Sequence, residues 1–154
     1  MAVSAIKTLQ GAVQTPTISF GGVVNGAGRQ CTDIDNTTDR APMCMVGLKV
    51  KAGTTPTANT VYKLYLVRRD ANGFSDDANA QTAGDVTVTV EPQSECIGSV
   101  VVTAATGTVY DRNFIVYDLP IKYAFVIWNA TGVTADATNG SHALYVTPMT
   151  PEAQ

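Results

Sequence analysis

Apolar and polar residues alternate with a period of two along much of the chain, which predicts β-strands. In CMVGLKVK, Cys44, Val46, Leu48 and Val50 fall on one face and Met45, Gly47, Lys49 and Lys51 on the other. In VYKLYLVR, Tyr62, Leu64 and Leu66 alternate with Val61, Lys63, Tyr65 and Val67, and the leucine face is the expected core face. DVTVTV sets Val86, Val88 and Val90 against Thr87 and Thr89. YAFVIW is apolar without interruption, which predicts a central strand covered on both faces. IGSVVVTA, FIVYDL and HALYVTP read as further strands, PTISFGGVV as a weaker one near the start, and VSAIKTLQ as a turn or two of helix. The expected core is Leu48, Leu64, Leu66, Val100, Val102, Phe125, Ile127, Leu144 and Val146.

Turn chemistry separates these runs: KAGTTPTAN, RDANG, AATGT, DLP, NATG and TNGS. No long segment carries a helical period. The expected fold class is all-β: an antiparallel β-sandwich of jelly-roll type with eight or nine strands. The 154 residues suit one folding unit, with residues 1–30 as an N-terminal arm plus first strand and 31–154 as the sandwich domain. Gly11, Gly21, Gly22, Gly26 and Gly28 make the first part a candidate arm that orders on contact.

Charged residues make up 15% of the chain, low against a typical ~25%, so either part of the surface is hidden against neighbours or threonine hydroxyls stand in for charges. The net charge of −3 is unevenly placed. Residues 1–69 hold eight Lys/Arg and three Asp; residues 70–154 hold two Lys/Arg and ten Asp/Glu. No basic cluster is interleaved with aromatics, so nucleic acid is not an expected partner. The asymmetry suits head-to-tail contacts between copies if it survives folding. Cys31, Cys44 and Cys96 are odd in number and lack metal-ligand spacing, so they read as free thiols of a protein folded in a reducing cytoplasm. No signal-peptide pattern and no membrane-spanning apolar run is evident, so no membrane partner is expected. The glycosylation sequons at Asn36, Asn129 and Asn139 read as turns.

Candidate chemistry is sparse. RDANGFSDD offers Asp70, Asn72, Asp76 and Asp77 for a cation, or forms a hairpin whose Asn72-Gly73 supplies left-handed positions. The EF-hand spacing fails, and the hairpin is the simpler reading. TDIDNTTD holds Asp33, Asp35, Asn36 and Asp39, which could bind a cation or blunt an exposed strand edge, and is more simply a polar connection into the next strand. His142 is the only histidine; its neighbour Ser141 would point to the opposite face of a strand, so no triad forms there, and His142 reads as a surface or interface residue. Glu91, Glu95 and Glu152 are the only glutamates, and no spacing singles out an acid/base pair. FGGVVNGAG lacks the ending of a phosphate loop and reads as a flexible glycine-rich connection. Trp128, Tyr62, Tyr65, Tyr110, Tyr117, Tyr123 and Tyr145 form a sugar-binding platform or, more simply, fill core and interface positions. No catalytic, cofactor-binding or metal-binding residue emerges, and no enzyme or cofactor is expected.

The run DNTTDRAPMCMVGLKVKAGTTPTANTVYKLYLVRRDANGFSDD resembles a group of small structural proteins encoded among tailed-bacteriophage virion genes. The shared order is a DN-x-T segment before a strand, a G-x-x-P-T-A loop, an LYL strand and an acidic NG loop. The likeness continues through IGSVVVTAATGTVY, VYDLPIKYAFVIWNATG and HALYVTPMTPE, and covers roughly residues 33–150. The family's double proline after DL is a single Pro120 here. The resemblance implies a virion component assembled in the host bacterial cytoplasm. Its expected role is a capsid decoration (cement) protein, a homotrimer that binds the major capsid protein and stabilises the shell. The alternatives are a neck, tail or fibre-base protein, or a carbohydrate-binding module that contacts the host surface.

Overall fold

The alternating runs fold into antiparallel strands. The structure, a computed structural model, describes residues 7–80 and 82–152. In chain order its strands are β1 (Lys7–Gln10), β2 (Ala27–Gln30), β3 (Ile34–Asp35), β4 (Met43–Lys51), β5 (Val61–Arg69), β6 (Val86–Val88), β7 (Glu95–Val101), β8 (Val109–Tyr117), β9 (Lys122–Ala130) and β10 (Ala143–Glu152). The only helical element among the described residues is a 3-10 turn at Asn139–Ser141. One sheet has the order β1-β10-β4-β8; the other runs β6-β2-β9-β5-β7, with β3 also paired to β9. The fold is the all-β antiparallel sandwich expected from the alternation. The strands number ten rather than eight or nine because β1, β2 and β3, of four, four and two residues, are too short to leave an alternating pattern.

Burial follows the period closely where a strand has one wet face. In β4 the residues Cys44, Val46, Leu48 and Val50 are buried and the intervening ones half-exposed. All nine residues of the expected core are buried. β9 lies between β2 and β5 and is covered on both faces, as its unbroken apolar run predicts. Tyr123, Phe125 and Ile127 enter the main core between the sheets, while Val126 and Trp128 join a second cluster with Tyr65, Val67, Ala80 and Val88. That second cluster lies on the far side of the six-stranded sheet, so β5 also buries both of its faces.

Several local expectations differ from the structure. PTISFGGVV is not a strand: Pro16 has no N–H for a ladder, and the nearest sheet contact is a single bridge from Gln14 to Val146. Ile18 and Phe20 are nonetheless buried in the main core. The described end of VSAIKTLQ is β1, paired with the end of β10, rather than helix; residues 3–6 of that stretch lie outside the described residues. The alternation of DVTVTV stops being structural at Val88, because its partner β2 is only four residues long, and Val90 is exposed. FGGVVNGAG is not a slack connection. It ends in β2, where Gly28 runs so close to β9 that a Cβ would sit 2.9 Å from the Ile127 carbonyl oxygen. Part of the expected 1–30 arm therefore belongs to the core and to both sheets.

The three thiols sit in different surroundings. Cys31 and Cys44 are buried, and burial pushes each thiol up to about 12; Cys96 is exposed on β7. In native protein a thiol reagent should titrate one group rapidly, and in unfolded, non-reduced protein it should titrate three. Three fast thiols in the native state would contradict the placement of Cys31 and Cys44.

Candidate functional site

The acidic loop after β5 is built around Arg69. This arginine stands at the end of β5, yet its side chain is fully enclosed. Its Nε donates to the Asp33 carboxylate at 3.0 Å, and its terminal nitrogens donate to Gln30 Oε1 and to the carbonyls of Gly73, Ala80 and Thr82. Gln30 Nε2 in turn donates to the carbonyls of Thr82 and Gly84. The loop between β5 and β6 is thereby pinned across the outer face of the six-stranded sheet, and its Ala80 completes the second apolar cluster. The far end of the loop is tied by Asp85, which accepts from Ser19 and from Arg29 Nε at 2.6 Å. Burial raises the Asp85 pKa, but the bonds from Arg29 and Ser19 outweigh it and hold the carboxyl below its ordinary range.

Each aspartate predicted as a cation ligand holds backbone. Asp70 Oδ1 accepts the N–H groups of Asn72 and Phe74, Asp76 Oδ1 accepts that of Arg68, and Asp77 accepts those of Asn79 and Ser94. The hairpin reading is the one the geometry follows, with one change: only Gly73, at φ 85°, takes the left-handed conformation, while Asn72 does not. In TDIDNTTD, Asp33 faces Arg69, Asp35 caps Thr37, Asp39 is exposed, and the buried Asn36 bridges Ala41 to the Pro120 carbonyl. No group of three or more His, Cys, Asp or Glu is placed to hold a metal among the described residues.

His142 is a buried residue rather than a surface one. Its Nδ1 accepts the Lys51 N–H at 3.3 Å, which leaves Nε2 to carry the proton and donate to the Asp136 carbonyl oxygen at 2.9 Å. Its ring meets Phe20 edge-on at 5.2 Å between centroids. Beside it an open cleft of about 480 Å³ is lined by Lys51, Thr54, Thr106, Thr134 and Asp136. Lys51 Nζ lies 3.0 Å from Asp136 and holds that carboxyl down at about 2. With both ring nitrogens engaged and the lysine paired, the group braces the turn before β10 and presents no base to a nucleophile. Glu91 and Glu95 part company: Glu91 binds Lys63 and the Tyr65 hydroxyl, and Glu95 binds Arg68, while Glu152 lies at the end of β10. Of the aromatics, Tyr62, Tyr65, Tyr123 and Trp128 are buried, so no platform of the predicted set exists.

The surface that does stand out is the outer face of the four-stranded sheet. Register places Met149, Met43 and Tyr117 in one row, Thr147, Met45 and Ile115 in the next, then Tyr145, Gly47 and Asn113. Ile115, Tyr117 and Tyr145 are more than 40% exposed, while the three methionines are half-buried. This face escaped the sequence reading, although a signal was present: the positions opposite the core residues of these strands are Met, Ile and Tyr where solvent-facing positions usually carry charge or hydroxyls.

Replacing Arg69 with methionine leaves Asp33, Gln30 and the loop carbonyls facing an apolar group. Arg69→Met should cost about 3–5 kcal/mol in urea unfolding and open residues 70–85 to proteolysis. Arg68→Met, which breaks a surface pair, should cost no more than about 1 kcal/mol. Equal losses for the two would remove Arg69 as the anchor. A second outcome concerns pH. Burial lowers the His142 pKa from its ordinary 6.5, so the folded state favours the neutral ring. Above that value neither state protonates; below it the unfolded chain takes up the proton first, and stability falls. Melting temperature should therefore drop as the pH falls below about 6.5, and His142→Gln should flatten that part of the profile.

No family model, curated protein or solved structure matches the chain, so its functional reading rests on its own residues and surfaces.

Proposed function

We propose that the protein is a structural component of a tailed-phage virion and acts as a capsid decoration protein that binds the assembled major capsid protein. The observation that carries this reading is the uncovered apolar face of the four-stranded sheet, where Met43, Met45, Met149, Ile115, Tyr117 and Tyr145 lie together. Methionine and tyrosine are the residue types that protein interfaces favour: one adapts to a partner's shape, and the other supplies broad contact area with a polar tip. The acidic residues of the β5–β6 loop hold their own backbone, and His142 braces a turn. Binding by surface contact accounts for these features without a reaction.

The residue order that resembles phage virion proteins supports the same assignment, and the neck, tail or fibre-base role uses the same face. A glycan-binding role would draw on Tyr117 and Tyr145. Purified protein should co-sediment with empty expanded capsids of the phage that encodes it, at micromolar concentration and without added metal or nucleotide. Met45→Glu, at the centre of the face on β4, should weaken retention and leave the circular dichroism spectrum unchanged. Protein that stays in the supernatant while a host-glycan column retains it would replace the decoration reading with the carbohydrate-binding one.

A further inference from the structure

Five strands stand at the edges of the two sheets, and four of them are blunted. Among the described residues β1 has four, β3 two and β6 three. β7 has seven, and its register against β5 slips between Leu64 and Tyr65. β8 is different. It runs nine residues, pairs with β4 in nine consecutive steps without a bulge, and contains no proline. Its other edge pairs with no strand among the described residues. Its two charges, Asp111 and Arg112, are of opposite sign and point to opposite faces. Native proteins shorten, kink or charge such an edge to keep other chains away, and an edge left long and regular offers a row of backbone donors and acceptors.

We propose that β8 pairs antiparallel with β8 of a second copy of this chain, about a two-fold axis through Asn113. Full overlap of the nine residues fixes that centre. Val109 then faces the partner's Tyr117, Asp111 its Ile115, and Asn113 its Asn113 on the outer face, while Tyr110 faces Val116 and Arg112 faces Phe114 on the inner one. No like charges oppose each other; Val109 meets Tyr117, Tyr110 meets Val116 and Phe114 meets the stem of Arg112, and only Ile115 faces a carboxylate, that of Asp111. The guanidinium of Arg112 already lies 5.7 Å from the centroid of its own Phe114 ring, and the pairing sets a second ring opposite it. Sliding one strand by two residues toward the other centre, Arg112, would instead oppose two arginines. A ring of three, as the phage likeness implies, would need β8 to pair with a different edge, and the others are too short or too irregular to match nine residues. The pairing joins two four-stranded sheets into one of eight and continues the methionine–tyrosine face across the axis.

This inference is separate from the virion reading: a monomer that binds capsids would end the one and leave the other standing. The test is the mass of the full-length protein in solution by sedimentation equilibrium, together with three variants. Wild type should show twice its 16.2 kDa. Asn113→Glu sets two like charges on the axis and should shift the dissociation constant upward by several-fold or more, with the circular dichroism spectrum unchanged. Ile115→Lys faces the partner's Asp111 and should keep the dimer, which separates this register from a general sensitivity of the edge to charge. In a Cys96→Ser background, Asn113→Cys should form a disulfide-linked dimer under mild oxidation. A monomeric wild type, a trimer whose mass ignores Asn113→Glu, or an Asn113→Cys protein that does not cross-link would overturn the proposal.

Discussion

A guanidinium shut away from water must be surrounded by acceptors, because an unpartnered buried charge costs several kcal/mol. Arg69 meets that requirement by gathering groups from three distant stretches: Gln30 at the end of β2, Asp33 before β3, and the carbonyls of Gly73, Ala80 and Thr82. The β5–β6 loop is thus drawn across the six-stranded sheet, and Tyr65, Val67, Val126 and Trp128 find cover beneath it. The consequence is an asymmetric sandwich. One sheet is packed on both faces by its own chain, whereas the other presents Met45, Ile115, Tyr117 and Tyr145 outward. The outward apolar face and the edge of β8, which pairs with no strand among the described residues, therefore belong to the same sheet.

The charge distribution is resolved inside the molecule. Of the five ion pairs among the described residues, Arg29–Asp85, Lys51–Asp136, Lys63–Glu91 and Arg68–Glu95 each join a cation from the first half of the chain to an anion from the second. The basic and acidic halves that suggested head-to-tail association instead neutralise each other across the fold. Apolar area and an open backbone edge stand out against this largely paired charge, and the sheet face and its edge carry the functional reading.

How much was legible follows from what each signal measures. Alternation records one buried and one wet face, so β4 and the leucine face of β5 were plain, and the unbroken run of β9 announced its central place. The second buried face of β5 was not legible, because Lys63, Tyr65, Val67 and Arg69 look like a mixed solvent face until a loop covers them. An arginine pair followed by aspartate at a strand end reads as surface, and only the fold shows that Arg68 stays out while Arg69 turns in. PTISFGGVV misled for the opposite reason: Ile18 and Phe20 are buried as strand residues would be, but their backbone is not in a ladder. The apolar outer face could have been read from residue types at alternate positions. The freedom of β8's edge could not, since it depends on strand order.

Strand order also bears on how the chain acquires its shape. β10 is the last of the described strands in chain order, yet it lies between β1 and β4. Until it is synthesised, β1 has no partner and one flank of β4 stands open, so the four-stranded sheet cannot close vectorially from the first strand onward. A ribosome-bound chain lacking β10 leaves β4 and β8 as a two-stranded ribbon with a long open flank on each side, where the finished sheet has that of β8 and the short edge of β1. Such intermediates are the aggregation-prone stage of β-rich proteins, in which distant pairings form late. A late-arriving strand that completes the sheet makes the nascent chain more dependent on chaperones than the finished fold would suggest.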